Sequence, residues 1–237
     1  MFQYANPKRF MDLSGVLLPY VATAAGLFLI AGFYLGLFVS PRDYQQGDTV
    51  RIMFIHVPAA WVAMMAYGMM AVASIFSLVN RHPLADVAAR TAAPLGALFT
   101  MLALITGSLW GKPMWGTYWV WDARLTSFLL LLFLYLGYSA LWNAIEDEVR
   151  AGRTAAILAI VGAVNLPIIH YSVEWWTTLH QGESILLSGG PKIAPVFLWP
   201  LFAMAFGYTL LFFTLWTVRI RTEILERRAR ALQMAEH

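Results

Sequence analysis

Six apolar runs divide the chain: Val16–Val39, His56–Val79, Ala92–Leu109, Ser127–Ile145, Thr154–Tyr171 and Pro195–Val218. Each approaches the roughly 20 residues that a helix needs to cross the hydrocarbon core of a bilayer. None contains an Asp, Glu, Lys or Arg. The pattern predicts an all-α membrane protein, with residues 1–237 forming one domain of six transmembrane helices. It disfavours an ion or proton relay, which would place ionisable groups at mid-membrane.

The third and fourth runs are joined by Trp110–Thr126, WGKPMWGTYWVWDARLT, which holds Trp110, Trp115, Trp119 and Trp121 out of 10 Trp in the protein. Gly111, Pro113 and Gly116 argue against a continuous helix there. Trp gathers at headgroup level in any membrane protein, and a belt of that kind explains one or two rings per helix end. Here the rings stand beside Asp122 and Arg124, as a flat apolar platform with a charged edge. Such a platform suits a large planar ligand carrying carboxylates.

Composition agrees with the pattern: 60% hydrophobic, 12% charged, mean hydropathy +0.64, against about a quarter charged in soluble domains. The net charge of +3 matters less than where the charges lie. Lys8, Arg9, Arg81, Arg90, Arg150, Arg153, Arg219, Arg221, Arg227, Arg228 and Arg230 fall on one side of the six runs. Only Arg42, Arg51, Lys112, Arg124 and Lys192 fall on the other. The side richer in Lys and Arg is the cytoplasmic one, so both termini are expected inside and the Trp-rich loop outside. The absence of Cys excludes thiol catalysis, thiolate-held metal and internal disulfides. No cleavable signal peptide is expected, since the first apolar run is long enough to stay in the bilayer. There is no GxxxxGK[ST] string, and the cytoplasmic loops are too short for an ATP site. Beyond Val218 the chain is expected to continue as a charged helix, with Glu223–Arg227 and Glu226–Arg230 spaced for i,i+4 pairs, serving as a solvated anchor.

Three of the five His lie toward the outer side. His56 starts the second run, with Pro58 in the first turn, where proline is tolerated. His180 lies in the loop that follows the fifth run. Two neutral imidazoles from separate segments can serve as axial ligands to one iron. Zinc would need a third or fourth ligand, which His170 and Glu174 could supply. Otherwise His170 makes a structural hydrogen bond, to Glu174 or to a loop carbonyl, that fixes the Trp175–Trp176 loop, an oriented carboxylate being a common partner of His. Arg51 and Arg124 can pair bidentately with carboxylates, with Lys112 in reserve; contact with lipid phosphate is the alternative for each. Asp122 is expected to hold Arg124 or a loop N–H. His82 and His237 attract no role.

The string WGKPMWGTYWVWDARLT resembles the tryptophan-rich WWD motif of the haem-handling proteins of cytochrome c maturation. RIMFIHVPAAW (Arg51–Trp61) and VNLPIIHYSVEWWTTLHQG (Val164–Gly182) resemble, in the same order, the flanking segments of the haem exporter protein C (CcmC) family. The resemblance implies haem b bound at the periplasmic face of a bacterial inner membrane. His56 and His180 would be its axial iron ligands. Trp110, Trp115, Trp119, Trp121 and Asp122 would form its platform, Arg51 and Arg124 would meet its propionates, and His170 and Glu174 would stand behind. It further implies delivery of haem to the periplasmic chaperone CcmE for c-type cytochrome biogenesis. The accompanying partners are the ABC transporter CcmA and CcmB, the small membrane protein CcmD and membrane lipid, with no nucleic acid. Such a protein is not itself an enzyme; ATP hydrolysis belongs to the transporter. The rivals are a ligase-like relative that attaches haem to apocytochrome, a solute transporter, and an electron-transfer haem protein. One departure from the family pattern is Tyr118, where relatives often carry Trp.

Overall fold

Four of the helices begin where a polar side chain satisfies one of the first free N–H groups of the helix. In the computed structural model, which describes residues 6–80, 82–180 and 193–235, Asn6 caps α1 (Pro7–Tyr34), His82 caps α3 (Pro83–Trp115), Asp122 caps α4 (Ala123–Ala144) and Asp147 caps α5 (Glu148–Gly162). A π-helical turn, Leu35–Val39, ends the first span, and a 3-10 turn, Asp48–Ile52, leads into α2 (Met53–Asn80). The chain continues through α6 (Asn165–Trp175) to α7 (Pro195–Ala235). With α5 and α6 taken as one span, six segments are long and apolar enough to cross a membrane. The protein is a multi-pass, all-α membrane protein. Arg81, Lys192, Gly182 and His237 lie outside the described residues.

Three expectations change. The helix expected to stop near Leu109 runs through Gly111 and Pro113 to Trp115. Pro113 falls in the last turn, where its missing N–H removes a single bond. Gly116, at φ +78°, then ends the helix and donates its N–H to the Lys112 carbonyl. The fifth run is not continuous: α5 and α6 are separated at Ala163–Val164, because Pro167 offers no N–H to the Ala163 carbonyl, which takes the N–H of Leu166 at 3.0 Å instead. Pro58 sits inside α2 rather than in its first turn, since the helix already starts at Met53.

The core is built from small residues that let backbones approach. α2 packs most extensively on α3, with Ala59, Ala63 and Ala66 of α2 and Ala89, Ala92 and Ala93 of α3 all buried. Tyr135 of α4 reaches into this seam and donates its hydroxyl to the Ala63 carbonyl at 2.8 Å. It occupies the space that a side chain at Gly96 would fill. α1 lies along α7 and is largely exposed elsewhere, as a lipid-facing helix can be.

The tail is not a freely solvated anchor. Ile220 and Ile224 of α7 are buried against Val87 of α3. Glu223 pairs with Arg227 at 2.8 Å, Arg90 at 3.6 Å and Arg230 at 3.7 Å, while Arg227 also reaches Asp86 at 3.4 Å. Arg230 thus turns to Glu223 rather than to Glu226. The apolar stripe of α7 continues past the membrane-spanning run, and the charges close over it.

Candidate functional site

The start of α2, the end of α3, the start of α4 and the end of α6 share one end of the bundle, opposite the tail, and His56, His170 and His180 lie there with the Trp-rich loop. His56, in the first turn of α2, points sideways into α3. Its Nδ1 lies 2.9 Å from the Ala103 carbonyl and 3.2 Å from Thr106 Oγ1. The Thr106 hydroxyl proton is already given to the Leu102 carbonyl at 2.7 Å. Both neighbours of Nδ1 are therefore acceptors, which fixes the proton on Nδ1 and leaves the lone pair on Nε2. Trp110 stands edge-on to the same ring, centroids 5.8 Å apart, and anchors its own Nε1 on Gln46 Oε1 at 3.0 Å.

His180 reaches the same place from the far side of the sequence. Its ring meets Trp115 edge-on at 4.8 Å, and its Nδ1 faces Asp122 Oδ2 at 3.5 Å. The other Asp122 oxygen accepts the Leu125 N–H at 2.8 Å, capping α4. Burial holds the His180 imidazole below its usual pKa; the Asp122 carboxylate opposes that shift and the Arg124 charge adds to it. The ring is neutral at pH 7, the form that can donate to a metal. His180, 124 positions away in sequence, and Arg124 both lie close enough to His56 to act on its ring electrostatically.

Arg124 is occupied with α6. Its Nε donates to Ser172 Oγ at 3.1 Å, and its Nη2 to the carbonyls of Ile169 at 3.2 Å and His170 at 3.1 Å. The guanidinium supplies donors to carbonyls that a helix end leaves open. Asp122, expected to hold Arg124 or a backbone N–H, does the second. Arg51 shares Asp48 with Arg42, at 3.4 and 2.7 Å, and keeps a buried Nε without a partner. His170 is exposed, with its ring edge-on to Tyr171 at 4.7 Å, and Glu174 is exposed one turn on. Among the described residues no three His, Asp or Glu gather as a metal cage, so the zinc alternative gains nothing from the fold.

The loop after Gly116 folds back on α3: Ser108 Oγ donates to the Tyr118 carbonyl at 2.9 Å. Lys112 lies over the Tyr118 ring at 5.3 Å and donates to the Gly116 carbonyl. Trp119 is half-buried, with a buried Nε1 lacking a partner, and stands edge-on to Trp121, which is 74% exposed. The Trp do not form one flat sheet. Trp110 and Trp115 each attend one His, while Trp119 and Trp121 form a rim. Ala103, Thr106 and Gly107, which seat His56, carried no sequence signal, because their role depends on the register of α2 against α3.

Six spanning helices with His56, His180 and a set of tryptophan rings gathered at one end define a multi-pass, all-α membrane protein with an aromatic, imidazole-bearing face. The profile of the Heme exporter protein C family matches residues 1–235. Proteins called Heme exporter protein C are similar over nearly all of the chain: 56% identical in Bradyrhizobium diazoefficiens, over 100% of this chain and 89% of the relative, and 46% in Paracoccus denitrificans, over 100% and 98%. The relative in Escherichia coli is 50% identical over 95% of this chain and 91% of its own. The chain belongs to the haem exporter protein C family.

Proposed function

We propose that this protein binds haem b at the periplasmic face of the bacterial inner membrane, through His56 and His180, and passes it to the chaperone CcmE for c-type cytochrome biogenesis. The observation that carries the reading is the seat of His56: two acceptors hold Nδ1–H, so Nε2 offers its lone pair beside a second neutral imidazole. Outer-sphere bonds of this kind orient metal-bound His generally. Iron bound to two imidazoles needs no further ligand from the protein, which fits a chain with no Cys and, among the described residues, no carboxylate cage. Trp110 and Trp115 line the approach to the two rings, and Trp119 and Trp121 offer an apolar rim. Arg51, with its unpaired buried Nε, is the cation most open to a propionate; Arg124, committed to α6, adds its positive charge. His170 and Glu174 support the end of α6. Haem leaves by transfer to CcmE rather than by chemistry on the ring, so the protein acts as a carrier. CcmA and CcmB would supply ATP hydrolysis, and CcmD would accompany the complex.

The orientation follows from the excess of Lys and Arg on the tail side. The test is the absorption spectrum of the purified protein, with and without its two His. Wild type should carry haem with a low-spin, two-imidazole spectrum, and His56→Ala and His180→Ala should each lose that signature. A protein that takes up no haem, or a spectrum indifferent to both substitutions, overturns the reading.

A further inference from the structure

Asp122 and His180 present an unusual pairing. Asp122 Oδ2 and His180 Nδ1 are both buried, and neither has a hydrogen-bond partner; they face one another at 3.5 Å. Buried polar atoms are seldom left unmade, because each costs its full desolvation. Among the described residues, the other groups around the imidazole make different contacts. Trp115 contributes a ring edge, Thr178 Oγ1 is engaged with the His180 backbone at 3.2 Å, and Arg124 donates to Ser172, Ile169 and His170 of α6. His180 also lies outside any helix, so helical packing does not set the direction of its ring.

We infer that Asp122 is the positioning residue of His180: one carboxylate oxygen is fixed as the cap of α4, and the other takes the Nδ1–H, turning Nε2 with its lone pair toward the shared site. The inference deepens the proposed function and rests on His180 as a ligand. It makes the two imidazoles alike in tautomer and unlike in support. His56 leans on a neutral carbonyl of α3, whereas His180 leans on a carboxylate at the start of α4. A carboxylate partner raises the basicity of a ligating imidazole, so the His180 side of the site is the stronger donor. The Asp of the Trp-rich loop then acts through the ligand rather than as part of the platform.

Asp122→Asn tests this sharply. Asn remains a good helix cap, so α4 keeps its start, but the amide presents N–H toward Nδ1. That arrangement favours the proton on Nε2, where it blocks donation to a metal. The tautomer of His180 is read by nitrogen NMR on the apo protein with labelled His, at a pH where the ring is neutral, the signal being assigned by its loss in His180→Gln. Wild type should show Nδ1–H, and Asp122→Asn should shift the population to Nε2–H. In the haem-loaded protein the same variant should lower affinity about 10–100-fold, the usual effect of removing an outer-sphere partner, and added imidazole should restore the six-coordinate spectrum. If Asp122→Asn does not fold, Asp122→Ser supplies a cap whose hydroxyl is too short to reach Nδ1, and should remove the tautomer preference. Nε2–H in the wild type, or a tautomer unchanged in the folded variants, overturns the inference. An Nδ1–H tautomer that depends on Asp122, combined with a haem spectrum indifferent to His180, would sink the ligand assignment and leave the positioning role of Asp122 standing.

Discussion

The imidazole of His56 lies against Gly107 so closely that a Cβ there would meet its Cε1 at 2.8 Å. The ring fills the side-chain space of the glycine, and this lets Nδ1 reach the carbonyl of Ala103, one turn earlier on α3. Gly107→Ala should therefore separate stability from function. Within a helix the change gains about 1 kcal/mol of intrinsic propensity, so the protein should accumulate normally. The displaced ring should reduce haem per protein nearly as much as His56→Ala. Haem content at matched protein level checks this; normal content would show that the ring tolerates displacement.

The three outer His should differ in consequence. His56→Ala and His180→Ala should abolish cytochrome c production. His170→Ala should be mild, since its side chain is exposed and Arg124 binds its backbone carbonyl rather than its ring. Arg124→Ala should be worse than His170→Ala, because it strips charge-assisted bonds from the end of α6, each worth about 1.5–3 kcal/mol. Cytochrome c yield in a strain lacking the native protein ranks the four variants.

Trp119 distinguishes a haem rim from a membrane belt. A belt accepts any amphipathic ring, so Trp119→Phe or Trp119→Tyr should transfer haem normally if anchoring is the only role. A packing role predicts a cost of about 3–5 kcal/mol for Trp→Ala where burial is complete, and less for this half-buried ring. With His56 and His180 intact, haem should be held more loosely rather than lost, and loading of the chaperone should fall first. Chaperone haem content in matched membranes decides between the two.

The docked tail gives a prediction about stability alone. Ile224 is 5% exposed, packed with Ile220 and Val87 beneath the Glu223 charge cluster. Ile224→Ala should cost about 2–5 kcal/mol locally and open the α7 extension to trypsin at Arg227 and Arg228, with the outer His site unchanged. Unaltered cleavage would mean that the ion pairs alone hold the tail.

Topology can be read by reporter fusions. Those after Asn80, Asp147 and Arg219 should report cytoplasm, and those after Gln45 and Gly116 periplasm. An external signal at Asn80 would reverse the whole orientation and the periplasmic assignment with it.

What the sequence determined by itself is the number of spans, their helical nature and the family. The first two are written in apolar runs of membrane length, a one-dimensional property, and the family in three motifs in order. It also singled out the end of the bundle that carries His56, His180 and the Trp loop, because topology alternates ends from one span to the next. It could not locate the close of α3 at Trp115 or the break at Ala163–Val164, since Gly and Pro mark a risk of interruption whose outcome depends on where in the last turn they fall. The inward-folded tail was illegible for a different reason: Glu223 and Arg227 look like a solvated i,i+4 pair until α3 brings Asp86 and Arg90 beneath them. Tertiary structure alone decided the chemistry of the site. The register of α2 on α3 sets His56 Nδ1 against Ala103 and Thr106, and the return of a loop from α6 to the start of α4 sets His180 Nδ1 opposite Asp122. Which nitrogen of an imidazole is free is a property of its neighbours, and those neighbours lie 47 and 58 residues away in the chain.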